Sequence, residues 1–165
     1  MHVTRARARG FTMVELVITL AVFAVVMAKG LPAIADFNAN SRLRSAAADL
    51  HQGASLARSE AIKRNIRTEL RVVTTMWSVW DVTAVPPVML RFGLFDPAVS
   101  AANLTLAFQS NGRTFPAGAV GTIGVTPTTM SCGADIRCPS VRITAGGSAL
   151  ICDPSKSTGT YGACS

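Results

Sequence analysis

The 165 residues suffice for one modest domain plus a helix, and the 49% apolar content is lifted by an N-terminal apolar run and by many alanines. The formal charge of +7 falls to +4 without residues 1–10, which hold Arg5, Arg7 and Arg9, so it is only a weak hint of an anionic partner. There is no P-loop, no G-x-S-x-G and, past His2, only His51, which excludes the familiar catalytic constellations and points away from an enzyme or a bound cofactor.

The chain opens on three arginines and Gly10, then runs apolar from Phe11 to Ala28 with one acid inside, Glu15. A charge at the middle of a membrane helix costs about 2.5 to 3.5 kcal/mol, so an acid in such a run is a functional hypothesis and needs a partner. From Phe11 to Ile34 a helix would extend roughly 36 Å, enough to cross a hydrocarbon core of about 30 Å. The arginines place its N-terminus in the cytoplasm by the positive-inside rule, and Lys29 can snorkel toward the far interface. Pro32 removes a backbone donor, so a kinked or loosened joint, or simply the end of the membrane helix, is expected there.

Gly10-Phe11-Thr12-Met13-Val14-Glu15-Leu16 resembles the class III signal of type IV pilins and type II secretion pseudopilins. The resemblance implies cleavage between Gly10 and Phe11 by a prepilin peptidase, N-methylation of Phe11, and Glu15 as the acid used in assembly. It also implies inner-membrane lipid, an inner-membrane assembly platform and other pilins as partners. The rival reading is an ordinary secretory signal peptide cut after Ala33-Ile34-Ala35. Glu15, where its apolar region should begin, and Lys29, before its cut, argue against that. Both readings send the rest of the chain out of the cytoplasm.

From Asn38 to Asn65 the period is helical: Leu43, Ala47, Leu50, Ala54, Ala57 and Ala61 form one narrow stripe of small apolar residues, against which a sheet can approach closely. The segment is expected to continue the membrane helix. Leu56 to Asn65 reads LARSEAIKRN, with Glu60 spaced to pair with Lys63 or Arg64. This decapeptide is similar to the helix end of the GspH/FimT branch of pilin-like proteins.

After Asn65 the period changes to two. Ile66, Thr68, Leu70 and Val72 alternate with Arg67, Glu69, Arg71 and Val73, as in a half-buried strand. Trp77–Val82, Val88–Phe92, Leu104–Phe108 and, weakly, Thr122–Val125 are further strands. Asn111-Gly112 is a turn, and Val141–Thr144 and Ala149–Cys152 flank Gly146-Gly147 as a hairpin. Cys132, Cys138, Cys152 and Cys164 are an even set in an exported chain, which suggests two disulfides. Their spacings do not match the C-x₂-C pairs of zinc ribbons, so no metal is expected. Short loops favour Cys132–Cys138 with Cys152–Cys164. A Cys138–Cys152 link across the hairpin is the main rival.

These readings give an α+β, pilin-like fold: a long N-terminal helix, half membrane-spanning and half soluble, on a small antiparallel sheet domain with a disulfide-closed C-terminal region. The expected divisions are 1–10 leader, 11–35 membrane or filament-core helix, 36–66 soluble helix and 67–165 sheet domain. The resemblance implies a minor pilin or pseudopilin at or near the tip of a type IV pilus or type II secretion pseudopilus, held first in the bacterial inner membrane with its C-terminal domain periplasmic. The alternative is a DNA-binding tip pilin acting in natural transformation. Some members of the family bind DNA through a Gly-Arg-x-Arg motif. The matching place here, Gly146-Gly147-Ser148-Ala149, has no arginine, which leaves Arg137 and Arg142 nearby as weak phosphate contacts.

Overall fold

The structure, a computed structural model, describes residues 11–155 and 162–164, without the side chains of residues 29–32. Gly10, the leader arginines, Lys156 and Tyr161, and the side chains of Lys29 and Pro32, lie outside the described set. The chain divides between Phe37 and Asn38 into two compact units.

A helix, α1, is assigned over Met13–Arg64, with helical backbone through Pro32. Its C-terminal end is set by Asn65, which takes φ 56°. Asparagine is one of the few residues that enters the left-handed region readily. The Ile66 N–H then donates to the Ala61 carbonyl and the Asn65 N–H to that of Ile62, the paired bonds of a Schellman motif. Arg64 pairs with Glu60 one turn back.

In the second unit the apolar stripe of α1 is the floor of the core. Leu43, Ala47, Leu50, Ala54, Ala57 and Ala61 are all buried. On them lies a five-stranded antiparallel sheet ordered β3-β2-β1-β5-β6, with β1 Thr68–Val73, β2 Met76–Asp81, β3 Val88–Leu94, β5 Leu104–Phe108 and β6 Thr114–Phe115. The alternation of β1 decides which face meets the helix: Thr68, Leu70 and Val72 are buried, paired in register with Phe108, Leu106 and Leu104 of β5. The alanines matter because they let the sheet come close. The buried Thr68 hydroxyl donates 2.8 Å to the carbonyl of Ala57, a bond that satisfies a polar group inside the core. Trp77 fills the space between helix and edge strand. A Cβ added to Gly53 of α1 would lie 2.8 Å from its ring, and one added to Gly93 of β3 would lie 2.6 Å from it.

Where one sheet was expected, there are two. A four-stranded antiparallel sheet, ordered β4-β7-β8-β9, is built from β4 Val99–Ala101, β7 Gly121–Pro127, β8 Ser140–Ile143 and β9 Ala149–Cys152. Its Val99, Ile123, Val125, Val141 and Ile143 join the same core as the helix stripe and the first sheet. Gly147, at φ 80°, turns the β8–β9 hairpin. The cysteines pair as Cys132–Cys138 and Cys152–Cys164, with Cα–Cα distances of 5.7 and 5.1 Å. The second bridge ties the segment beyond β9 back to that strand. Beside it the Asp153 N–H donates 3.1 Å to the carbonyl of Gly162.

Candidate functional site

The first turn of α1 carries the acid singled out in the sequence. Thr12 caps the helix: its hydroxyl accepts a 3.2 Å bond from the Glu15 N–H, and its carbonyl accepts one from the Leu16 N–H. Thr12 and Glu15 thus have the spacing of a capping box, and a carboxylate in the first turn faces the positive end of the helix dipole. Phe11, one residue before the cap, is exposed. The position at the start of the helix gives a local reason why an acid is tolerated there.

Beyond Glu15 the helix is apolar on every side and exposed on every side through Ala28. Met13 is 85% exposed, and Val17, Val22 and Phe23 are near 60%. A soluble helix keeps one apolar stripe, whereas one that is apolar all round belongs in lipid or inside a helical assembly. Its length and composition suffice to cross a membrane.

The remaining candidates lie in the second unit. Arg137 is exposed, and its backbone N–H donates 2.9 Å to the side chain of Asn40 on α1. Arg142 is half-buried on β8, in register with Thr122 and Leu150. The hairpin turn at Gly146-Gly147-Ser148 has no arginine of its own, but Arg58 of α1 reaches it and donates 3.3 Å from Nη1 to the Ser148 hydroxyl. Its Nε is buried without a hydrogen-bond partner, close to both Gly112 and Gly147. Reading Arg58 as a solvated helix charge misses this. Only the pairing of two glycine turns around it, far apart in sequence, could have signalled the role. The half-buried Arg58 side chain lies between turns of both sheets and the helix.

His51 is half-buried, with Nε2 3.1 Å from the carbonyl of Ala149. A carbonyl can only accept, so Nε2 donates in this contact and the ring tethers β9 to α1. Ser59 lines the same groove of about 510 Å³ as His51, but its hydroxyl donates 2.9 Å to the carbonyl of Leu56. Both groups are therefore engaged in holding the fold. Among the described residues no three His, Cys, Asp or Glu side chains come together as a metal site would require.

The family described as "Type II transport protein GspH" matches residues 46–147, and the "Prokaryotic N-terminal methylation motif" matches residues 5–28. Among curated protein sequences none matches. The fold is similar to that of the type IV minor pilin FimU of Pseudomonas aeruginosa, at 21% identity and a TM-score of 0.57, covering 73% of this chain and 95% of that one. It is also similar to the minor pseudopilin EpsH of the Vibrio cholerae type 2 secretion system, at 15% identity and a TM-score of 0.56, covering 70% and 99%. At these identities the likeness is one of fold.

Proposed function

Because the chain belongs to the GspH family of type II transport proteins, we propose that it is a structural subunit at or near the tip of a type IV pilus or type II secretion pseudopilus. In this reading prepilin peptidase cuts after Gly10 and Phe11 becomes the methylated N-terminus. Glu15 serves assembly, and Pro32 marks the joint between a membrane half, residues 11–35, and a soluble half, residues 36–66. The subunit waits in the inner membrane with residues 67–165 in the periplasm, and the assembly platform moves it into the filament. The observation that carries this reading is the helix surface from Met13 to Met27, which is apolar and exposed on all sides and begins at a capped acid. Lipid covers such a surface before assembly and neighbouring helices cover it afterwards. A deletion strain tests the reading and separates the two systems. Loss of twitching points to the pilus and loss of protein secretion to the pseudopilus. A strain that keeps both contradicts the proposal.

The DNA-receptor alternative is weighed by charge. From Ala39 onward there are twelve Lys/Arg against seven Asp/Glu. Five of the twelve, Arg42, Arg44, Arg58, Lys63 and Arg64, lie on α1, where Arg42 pairs with Asp96 and Arg64 with Glu60. Between residues 135 and 156 of the sequence, Arg137, Arg142 and Lys156 are offset by Asp135 and Asp153. Non-specific DNA binding needs several phosphate contacts acting together and weakens steeply with salt. A segment starting at Ala39 is therefore expected to bind duplex DNA weakly or not at all in an anisotropy titration at about 150 mM salt. Micromolar or tighter binding, abolished by Arg137→Ala with Arg142→Ala, would favour the receptor.

A further inference from the structure

The face of the five-stranded sheet turned away from α1 is apolar where a solvated face would be polar. On β2 and β3 the register sets Trp80 beside Met89 and Met76 beside Leu94, with Phe92 opposite Ser78. Phe92 is 56% exposed and Leu94 67%. Phe115 of β6, beside Ala107, continues the face on the far side of β1.

Beside Ser78, Thr105 and Glu69, two arginines of this face are laid over its rings. Arg67 sits 4.2 Å from the centroid of Phe115, and Arg71 sits 4.9 Å from that of Trp80. Arg71 also holds Glu69 through Nε at 2.8 Å, and that hydrogen bond keeps its guanidinium pKa above the ordinary value. At the margin Arg113 is exposed, one residue before the buried Thr114 of β6. Arg67, Arg71 and Arg113 against Glu69 leave the face with a surplus of two positive charges. Tryptophan, phenylalanine, methionine and arginine without lysine is the composition of an interface core, and Trp and Arg are the usual energetic anchors of one.

We infer that the outer face of the sheet formed by β1, β2, β3, β5 and β6 is a docking surface for a second, different pilin-like subunit, whose matching face is apolar at its centre and acidic at its rim. Charge decides against a second copy, because the same faces opposed would bring Arg67, Arg71 and Arg113 against themselves. Like charges meeting across an interface cost several kcal/mol. Area decides that the partner is co-assembled. Strands about 4.8 Å apart that hold 26 residues in all cover roughly 400 Å², below the roughly 800 Å² per partner of a stable free complex. A partner held in the same membrane or filament gains effective concentration and needs no larger contact. The inference rests on the filament reading of the chain.

The test places a photo-crosslinking phenylalanine analogue at Phe92 or, separately, at Phe23 of the apolar helix, in the full chain in cells that assemble the filament. The expected adduct at Phe92 is a heterodimer whose partner, by peptide sequencing, carries its own Gly-Phe cleavage motif and an acidic exposed face. Reversing Arg67→Glu with Arg113→Glu lowers its yield about fivefold or more and leaves the Phe23 adducts unchanged, as expected for a surface charge effect on a folded chain. A homodimer, a lipid or nucleic-acid adduct, no adduct at Phe92, or a yield indifferent to the reversal overturns the docking surface. Pilin adducts at Phe23 with none at Phe92 leave the filament reading standing. No pilin adduct at Phe23 removes the filament reading itself.

Discussion

Replacing Glu15 with valine is expected to leave membrane insertion and cleavage intact and to lower incorporation of the mature chain into filaments by about tenfold or more. Cleavage after Gly10 would create a charged amine on Phe11, four residues before Glu15. Among packed apolar helices that amine needs a carboxylate, from its own chain or a neighbour. Removing one member of a buried charge pair costs about 3–5 kcal/mol, far above the tenfold that 1.4 kcal/mol represents. The cap geometry makes the substitution clean. The bond that starts the helix runs from the backbone N–H of residue 15 to the Thr12 hydroxyl, and valine keeps that N–H. Glu15→Gln, which keeps shape and loses charge, is expected to behave as valine does. Quantitative immunoblots of sheared filaments against membranes read both variants. Normal incorporation of either would remove the charge role of Glu15.

The second large effect is expected at the Cys152–Cys164 bridge. It closes a separation of twelve residues, against six for Cys132–Cys138. In the chain-entropy account its loss costs about 2–4 kcal/mol, some 0.6 kcal/mol more than loss of the shorter loop. Cys152→Ser with Cys164→Ser is thus expected to lower the thermal midpoint of the mature chain in detergent by roughly 5–15 °C. The Asp153–Gly162 backbone bond should lose protection from hydrogen exchange at the same time. Non-reducing peptide mapping checks the connectivity directly. A peptide joining Cys138 to Cys152 would contradict it, and an unchanged midpoint would mean the tail contributes little.

Much of this fold can be read from periodicity. The spacing of Leu43, Ala47, Leu50, Ala54, Ala57 and Ala61 marks the buried side of α1, and the alternation at Thr68, Leu70 and Val72 marks the buried side of β1. Asn65, at the end of the helix, is legible because few other residues accept its backbone conformation. What stays hidden is what depends on residues far apart. β4 and β6 have three and two residues, too few to display a period, and they exist because β7 and β5 offer partners. The slot for Trp77 needs Gly53 and Gly93, forty residues apart, to lack side chains at once. Arg58 and Glu60 look alike in sequence as charges on a helix end. Only the two glycine turns that close on Arg58 distinguish it. The apolar outer face of the sheet is likewise invisible in any one strand, since it is assembled from the exposed positions of several.

The account stands most directly on the mature N-terminus. Intact mass and N-terminal sequencing of the protein from membrane fractions should find a chain beginning at Phe11, methylated on its amine and retaining the apolar helix from Met13 onward. A chain beginning at Asp36, as an ordinary signal peptide would leave, or one still carrying residues 1–10, would contradict it.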